Sequence, residues 1–124
     1  MIAVRDVQAG SRWYQSVLGL ASGHGGADYE QLLDAEGRQV LQLHHGEAPE
    51  RPHLGDPALS AGHGALLWFH EPAIDAAWAR AQTHQARVLE PLQPNPLAGH
   101  REFWLRDPDG YVVVIAGNRG DLGG

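Results

Sequence analysis

The period of the hydrophobic pattern changes several times along the chain, and each change marks an element boundary. Apolar residues that alternate with polar ones are typical of strands, and apolar residues three or four apart are typical of helices. Ile2 and Val4 alternate with their neighbours, whereas Trp13 and Val17 have helical spacing, and the helical pattern ends at Gly19. The first part of the chain therefore predicts a strand over 1–7, a helix over 8–18, and strands over 20–23, 28–33 and 38–45, with a turn at 34–37.

The later part of the chain repeats this order of elements. A strand over 63–70 precedes an alanine-rich helix over 72–85, and a further strand is predicted over 86–90. Prolines interrupt the pattern over 91–99, which predicts a loop there. A tight Asp-Pro-Asp-Gly turn at 107–110 then joins two strands rich in aromatic and β-branched residues.

The repetition predicts two modules, each with the order strand, helix and three strands. The turns at 34–37 and 107–110 correspond, because each follows an apolar strand and leads into another. Neither module can bury its sheet alone, so we expect one structural domain. The predicted fold class is α+β, with two βαβββ modules that form a curved mixed sheet around a concave cleft. Its parts are a first module at 1–45, a connecting loop at 46–62, a second module at 63–117 and a flexible tail at 118–124.

Composition narrows the classes of function. The chain has no cysteine, which excludes disulfides, thiolate metal sites and cysteine nucleophiles. Its net charge is −6 and its acidic residues are scattered, which argues against a nucleic-acid surface, since such a surface needs a basic patch. No apolar run approaches the roughly 18 residues of a membrane span. We therefore expect a cytoplasmic protein without nucleic-acid or membrane partners.

Eight histidines and four tryptophans are the unusual feature of the composition. Histidine is the commonest metal ligand and the acid–base group that titrates near neutrality. Alternation places His100, Glu102 and Trp104 on one strand face, and it places Gln42 and His44 together on another. Such a face is either a solvated sheet surface or a binding surface. The candidate ligand-binding residues for a cleft are Tyr29, Gln31, Gln42, His44, His63, His100, Glu102 and Trp104.

Two motifs carry a family resemblance. The sequence Arg-Trp-Tyr-Gln-Ser-Val-Leu-Gly-Leu at 12–20 and the sequence Asp-Pro-Asp-Gly-Tyr at 107–111 occur in the order that resembles the vicinal oxygen chelate superfamily. That superfamily includes glyoxalase I, extradiol dioxygenases, fosfomycin-modifying enzymes and bleomycin-resistance proteins. The resemblance covers the chain from Met1 to about Ala116. It implies the two-module fold and a homodimer in which cleft walls are shared between subunits, but it does not select one chemistry.

The resemblance also implies four metal-ligand positions, one in the first and one in the last strand of each module. The first of these four ligand positions falls before Met1, and a chain that starts upstream would supply a residue at that position. The other three fall on Gln42, His63 and Val114, and of these only His63 is a usual ligand. Valine cannot bind a metal, and an open catalytic site needs about three protein ligands. A rearranged set drawn from His63, His44, His100 and Glu102 would suit Zn, Ni, Fe or Mn.

Three functions follow from these residues. The first is a glyoxalase/bleomycin-resistance-like protein that binds a small organic ligand in the cleft without a native metal, with Trp104 stacked on a planar or cationic ligand. The acidic net charge favours a cation. The second is a metal-dependent lyase, isomerase or dioxygenase of the vicinal oxygen chelate type, with a metal at His63 and Glu102 as general base. The third is an interaction module with a sealed apolar cleft, which the polar candidates disfavour.

Overall fold

The computed structural model describes residues 1–46 and 62–123, and it contains two modules of the same element order. Most of the predicted connecting loop, residues 47–61, lies outside the described residues. The first module consists of β1 (Ile2–Val4), α1 (Val7–Leu18), β2 (Ala21–Gly25), β3 (Tyr29–Leu33) and β4 (Gln39–His45). The second consists of β5 (Leu66–His70), α2 (Ile74–Thr83), β6 (Arg87–Asn95), β7 (His100–Arg106) and β8 (Val112–Ala116).

The two modules form two four-stranded mixed sheets with the same strand order. The first sheet runs β1-β4-β3-β2, and the second runs β5-β8-β7-β6. In each sheet the first strand of the module pairs in parallel with the last, and the other pairs are antiparallel. This correspondence confirms the predicted repeat and the α+β fold class of two βαβββ modules.

The two corresponding turns have the same hydrogen bonds. Oδ1 of Asp34 accepts from the amides of Glu36 and Arg38, both at 2.9 Å. Oδ1 of Asp107 accepts from the amides of Asp109 and Tyr111, again both at 2.9 Å. An aspartate at the first position of such a turn satisfies backbone donors that would otherwise lack a partner. The repeat is therefore preserved down to individual side-chain bonds.

A single hydrophobic core joins the modules. The inner faces of both sheets and the facing sides of both helices contribute to one buried cluster, in which Tyr14, Leu32, Phe103 and Leu105 are fully buried. The hydroxyl of Tyr14 donates to Oδ2 of Asp107 at 2.8 Å and so connects α1 to the turn of the second module. The helix α1 also packs on α2. Residues of both modules therefore contribute to the same buried cluster, and that the two modules form one structural domain stays a prediction.

Two elements differ from the sequence-based expectation. The predicted loop over 91–99 is wrong at its start, because β6 continues through Pro91 and Pro94 to Asn95. This strand lies at the edge of its sheet and its register shifts twice, and edges and bulges are where strands accept proline. The strand predicted over 63–70 begins later, at Leu66. The tail over 118–123 is hydrogen-bonded to the start of β7, with the amide of Arg101 donating to the carbonyl of Asp121 at 3.1 Å, and its flexibility stays a prediction.

Candidate functional site

The candidate residues on β7 lie on the outer face of the second sheet, which is the face turned away from α2. Phe103 and Leu105 point into the core, so the residues between and beside them point outward. The strand register places outer-face residues in rows across β5, β8 and β7. One row is Trp68, Val114 and Trp104, and the next row is Leu66, Val112 and Arg106.

A pocket of about 650 Å³ opens on this outer face. It lies between the turn at 62–64 that precedes β5 and the ends of β7 and β8. His63 and Trp104, two residues expected to bind ligand, therefore meet at one site. The residues that line the pocket are Gly62, His63, Gly64, Ala65, Leu66, Trp104, Arg106 and Val112.

Glu102 lies beside this pocket, on the same strand as Trp104, and its carboxylate is held by three donors. Oε1 accepts from Nδ2 of Asn95 at 2.8 Å and faces Nε2 of His100 at 2.9 Å, while Oε2 accepts from the indole N–H of Trp104. Burial by itself would raise the pKa of Glu102, but the hydrogen bonds from Trp104, Asn95 and His100 outweigh burial and lower the pKa. A carboxylate with a lowered pKa and occupied oxygens is a poor general base. Its geometry instead fixes the ring of Trp104.

The lowered pKa of Glu102 predicts an acid-sensitive contribution to stability. Because the pKa in the folded state lies below the ordinary value of 4.5, this contribution is present above pH 4.5 and is lost as the pH falls through the folded value. Unfolding by urea, measured in steps of pH from neutral to acid, should show a steeper loss of stability in the wild type than in Glu102→Gln.

Glu90→Gln is the matched control for that experiment, because Glu90 lies on the neighbouring strand and is exposed. We expect Glu90→Gln to keep the wild-type pH dependence. If Glu102→Gln and the wild type lose stability in parallel between pH 4.5 and the acid limit, the three hydrogen bonds do not favour the charged form of Glu102.

The candidates of the first module form a second group, on the first sheet. Tyr29 lies opposite His44 in the register, and Gln31 lies opposite Gln42. Nε2 of Gln42 donates to the hydroxyl of Tyr29 at 3.2 Å, and the rings of Tyr29 and His44 are 6.2 Å apart. His44 is buried, with Nδ1 3.1 Å from the carbonyl oxygen of His45. The structure thus collects the eight candidates into two groups, one on each sheet, rather than into one.

The four predicted metal ligands do not converge within the described part of one chain. Among residues 1–46 and 62–123, no three His, Asp or Glu side chains converge as a metal site would require. His63 lies in an exposed turn and not in β5, while Val114 occupies the last-strand position. His44 is on the first sheet, and His100 and Glu102 already bind each other on the second. The rearranged set of His44, His63, His100 and Glu102 is therefore not assembled by these residues of a single chain.

Two residues at this site were not anticipated from the sequence. Arg106 lines the pocket and follows Trp104 by two positions, so the alternation that grouped His100, Glu102 and Trp104 also predicts its face. Asn95 binds Glu102, but it fell in a segment predicted to be a loop. Its role depends on the pairing of β6 with β7, for which the local pattern carries no signal.

The fold is that of a paired βαβββ protein, with a pocket on the outer face of the second sheet. The profile of the Glyoxalase/Bleomycin resistance protein/Dioxygenase superfamily matches residues 1–115, and the chain belongs to that superfamily. No curated protein matches the chain significantly. None of the described helices is long and apolar enough to cross a membrane.

Solved structures share this fold at low sequence identity. A glyoxalase/bleomycin resistance protein/dioxygenase family enzyme from Burkholderia phytofirmans PsJN is 23% identical, with a TM-score of 0.74 over 94% of this chain and 93% of that one. A protein of unknown function from Agrobacterium tumefaciens str. C58 is 24% identical, with a TM-score of 0.76 over 94% and 88% of the two chains. A glyoxalase-related enzyme from Fulvimarina pelagi is 20% identical, with a TM-score of 0.73 over 94% and 84%. At these identities the likeness concerns the fold alone.

Proposed function

We propose that the protein binds a small organic ligand in the outer-face pocket of the second sheet and does so without a native metal. The supporting observation is the convergence of His63 and Trp104, from two separate segments, on one pocket of about 650 Å³. A pocket with an apolar floor and a few polar groups is the usual form of a small-molecule site. Leu66 and Val112 supply the floor, and the indole of Trp104 supplies a flat surface on which a ring can stack.

The metal-dependent lyase, isomerase or dioxygenase is the less favoured alternative. It needs a general base and about three converging ligands. Glu102 is engaged by three donors, and the described residues of one chain do not bring such a ligand set together. Binding of a small ligand without a metal requires neither a general base nor a set of converging metal ligands.

The pocket predicts a specific pattern of ligand affinity. A library of aromatic fragments, screened by thermal shift and then by two-dimensional NMR of isotope-labelled protein, should yield ligands that move the indole N–H signal of Trp104. Trp104→Ala should weaken their binding by about tenfold or more, because the stacking surface is lost. His63→Ala should weaken binding by a smaller factor, because its ring lies at the exposed rim.

His84→Ala is the matched control, since His84 is an exposed histidine at the end of α2, outside the pocket. It should bind like the wild type, and all variants should keep the wild-type circular dichroism spectrum. Trp104→Phe, which retains a ring, should lose less affinity than Trp104→Ala. Wild-type affinity in both Trp104→Ala and His63→Ala would place the ligand elsewhere.

We also propose a cytoplasmic homodimer in which a second copy covers part of the outer face. Among the described strands, β1 and β5 lie at the edges of their sheets. On β5, Leu66 is 47% exposed and Trp68 is 54% exposed, and large apolar side chains on an edge strand are typical of an interface. Light scattering after gel filtration should give twice the mass of 13.4 kDa for the wild type and a monomer for Trp68→Lys. A wild-type monomer at all concentrations would contradict this proposal.

A further inference from the structure

The guanidinium of Arg106 is the charged group in the wall of the pocket. Arg106 is half-buried, and its Nη1 donates to the carbonyl of Gly110 at 2.7 Å, which holds the side chain at the end of β7. Its remaining N–H groups make no further hydrogen bond or ion pair to the described residues. A guanidinium presents its donors in a planar fork that matches the two oxygens of a carboxylate. The group is therefore held in place by one bond while most of its donors remain available.

The register places this cation at the end of an apolar row. Leu66, Val112 and Arg106 are adjacent across β5, β8 and β7, and all three line the pocket. Trp104 lies two residues before Arg106 on the same face. An apolar body that packs on Leu66 and Val112 would thus end at a positive charge, with the indole along one side.

The described lining of the pocket contains no carboxylate to neutralise Arg106. Glu102 is the acidic side chain on the same face of β7, but its two oxygens are occupied by Asn95, His100 and Trp104. The net charge of −6 describes the whole chain and not the pocket. Glu90, opposite Trp104 on β6, is exposed to solvent and accepts from Nε2 of Gln93 at 3.1 Å, outside the pocket lining. More distant exposed charges are largely screened beyond about 8 Å at physiological ionic strength, so Arg106 is the charged group of the wall itself that a ligand meets.

We propose that the pocket takes a small carboxylate with an aromatic or apolar body, bound through its carboxylate to Arg106. The body packs on Leu66 and Val112 and stacks on Trp104, and His63 lies at the exposed rim of the pocket. This inference rests on the proposed function, since it names the class of ligand for the same pocket. It differs from the cationic ligand that net charge favoured, because the local charge has the opposite sign.

A matched set of probes tests the charge preference. The set consists of benzoate and 2-naphthoate, their uncharged amides, and the corresponding aryl-methylammonium cations, each titrated into the full chain and followed by NMR. We expect the carboxylates to bind about tenfold more tightly than their amides, as a charge-assisted bidentate contact provides, and the cations to bind less than the amides. The signals that move should include the side-chain N–H of Arg106 and the indole N–H of Trp104.

Variants separate this inference from the proposed function. Arg106→Gln should reduce the affinity for each carboxylate to that for its amide and leave amide binding unchanged, whereas Arg106→Lys should keep part of the preference. Arg12→Gln, an exposed arginine on α1, should behave as the wild type. Tighter binding of the cations, or a carboxylate preference that survives in Arg106→Gln, would overturn the inference and leave the pocket in place. No binding by any of the three charge classes would overturn the proposed function as well.

Discussion

Replacing Asp107 with alanine is expected to lower the free energy of unfolding by about 3–4 kcal/mol. Asp107 is 1% exposed and accepts three hydrogen bonds, from the Tyr14 hydroxyl and from the amides of Asp109 and Tyr111. The alanine variant leaves the fully buried hydroxyl of Tyr14 without its partner and removes the acceptor of the turn amides. Urea unfolding at neutral pH, followed by tryptophan fluorescence, measures the loss.

The internal repeat supplies the control for this variant. Asp34→Ala removes the same pair of turn hydrogen bonds in the first module and also an exposed ion pair with Arg38, but the Asp34 side chain is 23% exposed and has no tyrosine partner. Its loss of stability should therefore be clearly smaller, and the difference between the two variants reports the contact with Tyr14 together with the deeper burial of Asp107. Equal losses would show that the turn bonds alone account for the effect and that the link between the modules contributes little.

The charge of Asp107 is separable from its role as an acceptor. Burial raises its pKa, although hydrogen bonds from Tyr14, Tyr111 and Asp109 act in the opposite direction. The raised pKa means that the ionised form is disfavoured in the fold, so this group's contribution is greatest in acid and declines as the pH rises through the folded value. Asp107→Asn keeps an acceptor oxygen without the charge and should be less destabilising than Asp107→Ala.

The local pattern of the sequence was sufficient to predict most of the fold. The two corresponding turns, the alternation in β4 and β7, and the end of α1 at Gly19, which has a left-handed φ of 69°, each depend on neighbours along the chain. The same pattern failed in β6, where Pro91 and Pro94 predicted a loop. Proline is tolerated there because the strand is at an edge, and edge position is a property of the sheet and not of the segment.

The site was predicted less completely than the fold, for a physical reason. Alternation gave the face of Glu102 and Trp104 because both lie on one strand. It could not give the distance between that strand and His44, which is on the other sheet, or the bond from Asn95 to Glu102. Those contacts depend on strand pairing and on the packing of two modules, which residues distant in sequence decide together.

That packing leads to a second large expected effect. Leu32 and Leu105 occupy equivalent positions in the repeat, each two residues before the turn aspartate of its module, and both are fully buried. Leu105→Ala should lower the free energy of unfolding by about 2–5 kcal/mol through lost burial and the cavity that remains. Because both leucines belong to one core cluster, the loss should be shared by the whole domain.

Hydrogen exchange distinguishes a shared core from two independent ones. In Leu105→Ala the most protected amides of β3, in the first module, should lose as much protection as those of β7, and Leu32→Ala should give the reciprocal result. Leu97→Ala, at a fully exposed leucine, should leave both strands unchanged. A loss confined to the mutated module would contradict a single core. It would also mean that the Tyr14–Asp107 bond joins two units that fold separately, in which case Asp107→Ala would loosen their contact without unfolding either.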